Sequence, residues 1–114
     1  MKAKFYRRQE KIFTDHPRFA NVKIAVLVTG QDTQAASVCE LQIAPATEIP
    51  VHVHDPQADS ILVMAGEGEA YLNGGWRQIA AGDYMFVPAC EEHGIRNPGP
   101  APLELFVHHS PALL

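Results

Sequence analysis

Residues 50–66 read PVHVHDPQADSILVMAG, and this stretch is the most informative part of the chain. It contains His52 and His54 two positions apart, and side chains at that spacing in a β-strand project from one face. His93 follows in a later, turn-rich segment and can approach the pair from a separate element. A short-range histidine pair with one remote ligand is a common way to build an open metal site. The stretch therefore predicts a metal-binding β-barrel.

The same stretch continues as an alternating run that starts at Asp59. If the Asp59 carboxylate faces inward, the period of two places Ile61 and Val63 inward beside it. Leu62 and Met64 then lie on the opposite face of the strand. We therefore expect an apolar pocket wall, which favours a small, partly hydrophobic ligand.

Short apolar segments separated by turn residues fill most of the remaining chain, with nine prolines and eight glycines among 114 residues. Candidate strands lie at 22–28, 37–43, 50–54, 60–65, 68–72, 77–80, 84–87, 93–96 and 103–108. The Asn73-Gly74 dipeptide between two alternating runs is a strong hairpin signal. Only residues 6–12 could form a helical turn, and they could equally form an N-terminal arm. Close strand spacing with almost no helical periodicity predicts an all-β fold, either a sandwich or a small barrel.

Length and charge limit the classes of function. A chain of 114 residues supports one domain with a single core. The formal net charge of −4 argues against nucleic acid or an anionic membrane surface as a partner. No apolar run reaches the length of a membrane span, and residues 1–10 lack the apolar core of a signal peptide. We therefore expect a cytoplasmic protein in which Cys39 and Cys90 are free thiols.

Two groups of residues, in this order and at this separation, resemble the two sequence motifs of the small single-domain cupins. The first group is His52, His54, Asp59 and Gly66, and the second is Gly82, Pro88, Ala89, Cys90, His93 and Asn97. The resemblance implies a double-stranded β-helix, the cupin jelly-roll barrel, with a metal near its mouth. Residues 21–114 would form the barrel, and residues 1–20 would form an N-terminal arm.

The resemblance also implies a ligand set, because cupins use His, His, Glu and His to hold their metal. In this chain those positions are His52, His54, Asp59 and His93. One divalent transition metal is expected, and Mn, Fe, Ni, Cu and Zn all accept such ligands. Asp59 is one methylene shorter than the usual Glu, so a water could intervene, or the site could relax toward three histidines. Asp59 could instead cap a turn, and the His52–His54 pair could face solvent.

Cys90 stands where the family motif has a turn glycine. Glycine there permits positive φ, so a cysteine predicts that this turn takes another conformation. Cys90 joins Ile61 and Val63 as a candidate for lining the pocket, although a partly buried loop position is the better explanation of it.

The remaining polar residues are less informative. His108 and His109 are consecutive, so they face opposite sides of the last strand and cannot both line the barrel. Either could be a surface residue. A general acid or base could come from Arg77, Tyr84 or Arg96 if one of these side chains points inward.

The resemblance implies a metal-dependent enzyme that acts on a small molecule in the barrel, of oxygenase (including dioxygenase), isomerase or lyase type. The alternative is a non-catalytic small-molecule binding or sensory module. An open jelly roll leaves edge strands that need cover, and small cupins are typically homodimers. We therefore expect a homodimer in which the N-terminal arm packs on the partner subunit, with Leu62 and Met64 available for a second contact.

Overall fold

The computed structural model describes all 114 residues, as ten strands and one turn of 3-10 helix. The first five strands are β1 (Thr14–Asp15), β2 (Val22–Val28), β3 (Ser37–Ile43), β4 (Thr47–His52) and β5 (Ala58–Ala65). The others are β6 (Glu67–Leu72), β7 (Gly75–Ala80), β8 (Tyr84–Val87), β9 (His93–Asn97) and β10 (Leu103–Ser110). The 3-10 turn is Arg8–Glu10, within the segment for which a helical turn was predicted. The all-β prediction is confirmed.

The strands form two antiparallel sheets. One has six strands in the order β1-β2-β3-β10-β5-β8, and the other has four in the order β4-β9-β6-β7. Consecutive strands often lie in different sheets, which is the connectivity of a double-stranded β-helix. A cluster of 14 buried apolar residues drawn from both sheets forms the core between them. The predicted jelly-roll barrel is therefore confirmed, and its interior is the place where inward side chains of both sheets meet.

The burial of β5 follows the alternation that its sequence predicts. Asp59, Ile61 and Val63 are buried at no more than 4% exposure, whereas Leu62 and Met64 are about 40% exposed. The β6–β7 hairpin also follows from the local sequence. Asn73 and Gly74 both have positive φ, and the strands they join pair in register on either side.

The strand predicted at 50–54 is observed at Thr47–His52, so His54 lies just beyond its end. β4 pairs only with β9, and His52 is opposite His93, the first residue of β9. No strand lies beside His54 to continue the ladder. Because β4 ends at His52, His52 lies on a strand and His54 lies on the loop that follows it.

The N-terminal segment contacts its own barrel. Tyr6 Oη donates to the Leu27 carbonyl oxygen at 2.8 Å, and the Lys11 ammonium pairs with the buried Glu40 carboxylate. β1 then adds an edge strand to β2. The packing of residues 1–20 on a partner subunit stays a prediction. No helix in the chain has the length and apolar character that a membrane crossing requires.

Candidate metal centre

Three histidines meet at one end of the barrel interior. His52 ends β4, His93 begins β9 directly opposite it, and His54 follows on the loop. Their ring centroids are 4.3 Å apart for His52 and His93, 4.8 Å for His52 and His54, and 5.2 Å for His54 and His93. One nitrogen from each ring lies within 4.8 Å of the other two. The three rings can therefore share one ion.

Backbone carbonyls orient two of these rings. Nδ1 of His52 lies 2.7 Å from the Pro50 carbonyl oxygen, and Nδ1 of His93 lies 3.0 Å from that of Glu91. A carbonyl oxygen only accepts hydrogen bonds, so each Nδ1 carries the proton. In a neutral ring Nε2 is then left with its lone pair, which is how metal-binding histidines are usually held.

Asp59 places its carboxylate against the histidines. Its Oδ2 lies 3.2 Å from Nε2 of His93 and 3.6 Å from Nε2 of His54. Its Oδ1 is buried and has no hydrogen-bond partner. A buried carboxylate oxygen without a partner is costly unless a cation or donor offsets it. Three imidazoles and one carboxylate suit Mn, Fe, Ni, Cu and Zn, so the residues present fit a divalent transition metal.

The charge states of these four residues follow from their surroundings. Burial is the largest influence on His52 and His54 and lowers the pKa of both. Burial also acts to lower the pKa of His93, but the hydrogen bonds to Asp59 and the Glu91 carbonyl outweigh it and raise that pKa. Burial opposes ionisation of Asp59 too, yet the hydrogen bond to His93 and the nearby imidazoles lower its pKa. Asp59 is therefore a carboxylate at neutral pH.

His109 is a fourth histidine at this centre and, like His93, it is buried. Its Nε2 lies 3.7 Å from Asp59 Oδ1, and its ring centroid is 5.9 Å from that of His54. Burial, the first influence, lowers its pKa. The consecutive positions of His108 and His109 leave open which of the two faces inward. Leu103, Leu105 and Val107 are buried at every second position of β10, and the same alternation in the sequence places His109 on the inward face.

A cavity of about 400 Å³ opens from the histidines, a volume typical of small-molecule sites. Ile61 lines it, but Val63 lies in the core and Cys90 lies exposed in a turn, and neither contributes to the lining. The other apolar lining residues include Ile24, Leu41, Ile49, Ile95, Leu105 and Val107. The wall is thus mostly apolar, as the alternation of β5 predicted.

The loop after β1 contributes polar and aromatic residues to the same cavity. His16, Arg18 and Phe19 line it, and the Phe19 ring lies 6.3 Å from that of His52. The guanidinium of Arg18 stacks over the Phe19 ring at 5.6 Å and forms no salt bridge. Its charge acts to lower the pKa of His52 and His54, although burial acts more strongly on both.

Three polar residues that could have acted as acid or base lie elsewhere. Arg96 pairs with Glu69 at 2.9 Å and stacks over Trp76. Tyr84 is exposed and bonds to Ser60, and Arg77 is exposed on β7. None of the three lines the cavity.

Cys90 corrects one expectation. Its φ is +67°, so the prediction that a cysteine would give the turn another conformation is wrong. The N–H of Cys90 donates to the His54 carbonyl oxygen at 2.8 Å, and this contact holds the turn against the His54 loop. Cys39, the other free thiol, lines the cavity, and burial raises its pKa to about 12. It is therefore not a nucleophile at neutral pH.

Comparison with known sequences agrees with this geometry. Residues 39–109 match the family described as the cupin domain. The chain belongs to the cupin family. The matched region runs from β3 to β10 and includes every residue of the histidine and aspartate cluster.

Individual relatives of this cupin are distant. It is 30% identical over 71 residues to an oxalate-binding protein of Thermotoga maritima, which covers 62% of this chain and 59% of the relative. It is 27% identical over 73 residues to a mannose-1-phosphate guanylyltransferase of Klebsiella pneumoniae, covering 64% of this chain but only 16% of that protein. The chain therefore spans less than two thirds of either relative.

Among solved structures, one similar protein is described as a predicted oxalate decarboxylase from Thermotoga maritima. It superposes with a TM-score of 0.83 at 23% identity, and the alignment covers 96% of this chain and all of that one. This likeness demonstrates the shared fold.

Proposed function

We propose that this cupin holds one divalent transition metal through Nε2 of His52, His54 and His93 and through Asp59. With that metal it acts as an enzyme on a small molecule in the cavity, of oxygenase, isomerase or lyase type. The observation that carries the proposal is the convergence of three imidazoles and a carboxylate at the end of a mostly apolar cavity. Such a centre is costly to bury unless it binds a cation.

The residues and the ion would divide the chemistry. A bound ion would supply Lewis acidity or, for iron or manganese, redox chemistry. The mostly apolar cavity wall lowers the local dielectric and so strengthens each electrostatic interaction within it. The carbonyl-bonded rings of His52 and His93 are oriented in advance, so little reorganisation is needed when the site fills.

The position and charge of Arg18 favour an anionic substrate. It is the single Lys or Arg side chain that lines the cavity, and no carboxylate of the protein pairs with it. A small organic acid could place one end at the histidines and a carboxylate near this guanidinium, which is the group best suited to bind it. The relative described as an oxalate-binding protein supports the same class.

A second candidate is non-catalytic binding of the same class of ligand. It is favoured by the position of Arg77, Tyr84 and Arg96, which all lie outside the cavity and cannot act as acid or base there. Turnover of the bound acid separates the two candidates, because a binding module returns it unchanged.

Elemental analysis tests the metal site first. Protein purified without a polyhistidine tag or chelator is expected to contain about one equivalent of Mn, Fe, Ni, Cu or Zn by mass spectrometry. His93→Ala should lose it, while His108→Gln, on the opposite face of β10, should keep it. Failure of the wild-type protein to bind any of these ions after incubation would overturn the proposal.

Calorimetry tests the ligand class next. Oxalate titrated into the metal-loaded protein should bind, and Arg18→Gln should weaken its affinity about tenfold or more. Arg8→Gln, which changes an arginine that lies outside the cavity, serves as the matched control. Equal affinity in the two variants would contradict the role of Arg18.

We also propose a homodimer. Leu62, Met64, Tyr84 and Phe86 expose 39–60% of their surface on neighbouring strands β5 and β8, and exposed apolar groups of this kind favour association. A monomer in light scattering at micromolar concentration would refute this proposal. A cytoplasmic location likewise stays a prediction.

A further inference from the structure

Ser37 determines which nitrogen of His109 carries a proton. The buried Ser37 Oγ accepts hydrogen bonds from the N–H of Leu113 at 2.9 Å and of Leu114 at 3.2 Å. A hydroxyl oxygen accepts two such bonds and donates one. Its remaining neighbour is Nδ1 of His109 at 2.9 Å. The Ser37 hydroxyl therefore donates to Nδ1, and this nitrogen has its lone pair directed at Ser37.

This arrangement places the His109 proton on Nε2. A ring with a proton on Nδ1 would require Ser37 Oγ to accept a third hydrogen bond. The neutral ring therefore presents Nε2–H toward Asp59 Oδ1, which lies 3.7 Å away and has no other partner. A shift of about half an ångström brings the two atoms within ordinary hydrogen-bond distance.

The contrast with His52 and His93 is chemical as well as spatial. Carbonyl oxygens beside Nδ1 leave Nε2 of His52 and His93 free to bind a metal. A hydroxyl donor beside Nδ1 leaves Nε2 of His109 protonated and unable to do so. Distance alone does not separate these roles, because His54, Asp59 and His109 also lie within 4.8 Å of one another.

We infer that His109 is a positioning residue for Asp59 and is not a further metal ligand. Its Nε2–H holds Oδ1, so the carboxylate turns Oδ2 toward His93 and His54 and binds with one oxygen. Such a hydrogen bond matters for an aspartate, because its side chain is short and the rotation of the carboxylate decides whether Oδ2 reaches the metal. The inference rests on the proposed metal centre, but the proton on Nε2 is a property of the metal-free protein too.

Nitrogen-15 NMR of labelled histidines tests the inference directly. In both the metal-free and the zinc-loaded protein, His109 should show a protonated Nε2 and an unprotonated Nδ1, and His109→Leu identifies its signals. In the zinc-loaded protein His52 and His93 should show the opposite tautomer. A metal-bound Nε2 or a protonated Nδ1 on His109 would overturn the inference. Failure of zinc to bind would instead overturn the proposed metal centre, and the metal-free spectrum would still test His109.

Zinc affinity of variants provides a second test. His109→Leu continues the apolar row of β10 but leaves Oδ1 without a donor, so the affinity should fall about 10–100-fold, as for other residues that orient ligands. His109→Gln has both an acceptor for Ser37 and a donor for Asp59, so it should remain within a few-fold of wild type. His108→Gln is the matched control and should show no change. Equal losses in His109→Leu and His109→Gln would contradict a positioning role.

Discussion

The two oxygens of Asp59 face two differently built sides of the barrel. Oδ2 faces His93 and His54, which lie on and beside the four-stranded sheet. Oδ1 faces His109, which lies with Ser37 on neighbouring strands of the six-stranded sheet. Residues of the same type occupy both sides. The difference between them comes from the atom that touches Nδ1, an acceptor for His93 and a donor for His109.

One type of side chain can serve either to bind a metal or to orient another ligand. Imidazole has two nitrogens, and the partner at one of them decides which nitrogen of the neutral ring carries the proton: an acceptor keeps the proton on the bonded nitrogen, and a donor places it on the other. A cluster of histidines is therefore not a uniform set of ligands. The partner of the second nitrogen has to be known before a role can be assigned.

Removing one of the histidines on the Oδ2 side should cause the largest loss of metal affinity. His93→Ala or His52→Ala is expected to reduce metal affinity by more than about a hundredfold, because each deletes a direct ligand. The barrel should stay folded, since the aliphatic strands form its core. Metal titration by calorimetry and circular dichroism measure the two properties separately.

Removing the carboxylate should have a smaller effect than removing either histidine. Asp59→Ala leaves three imidazoles, and we expect metal affinity to fall about a hundredfold, an order-of-magnitude expectation that also sets the upper limit for variants acting through Asp59. The same calorimetric titration ranks the variants. Abolished binding in Asp59→Ala together with retained binding in His93→Ala would show that the ligand assignment is wrong.

Lowering the pH should weaken metal binding first by protonating His93. Its pKa is raised above the ordinary value of 6.5, whereas those of His52 and His54 are lowered. His93 must therefore lose a proton to bind, while the other two are already neutral. Affinity should be constant above the His93 pKa and fall about tenfold per pH unit below it. Calorimetry in buffers of different ionisation enthalpy should detect about one proton released on that acidic limb, and a release near zero would contradict it.

The smallest effect is expected at the turn that supports His54. Cys90 has positive φ, a conformation that costs a side-chain-bearing residue about 1–2 kcal/mol. Cys90→Gly should therefore raise the free energy of unfolding by up to about 1 kcal/mol, because glycine's gain in chain entropy on unfolding offsets part of the relief. Cys90→Ala keeps a Cβ and should give no such gain. Urea denaturation measures both, and metal affinity should be unchanged because the Cys90 N–H is retained.

The sequence by itself determined the features that depend on local pattern. Alternation predicted the inward face of β5, and Asn73-Gly74 predicted the β6–β7 hairpin, because each depends on backbone geometry over a few residues. The two motifs identified the cupin fold and brought attention to His52, His54, Asp59 and His93. The structure places these four together, and their role as ligands stays a proposal.

Tertiary structure alone decided what surrounds each imidazole. The phase of β10 could have indicated His109, but nothing near it in sequence identifies Asp59 or Ser37 as its neighbours. His109 is 50 positions from Asp59 and 72 positions from Ser37 in the sequence, and each contact joins adjacent strands. The turn in which Cys90 has positive φ is likewise hydrogen-bonded to the distant His54 carbonyl. Proton placement and backbone strain depend on contacts between distant segments, so only the folded chain determines them.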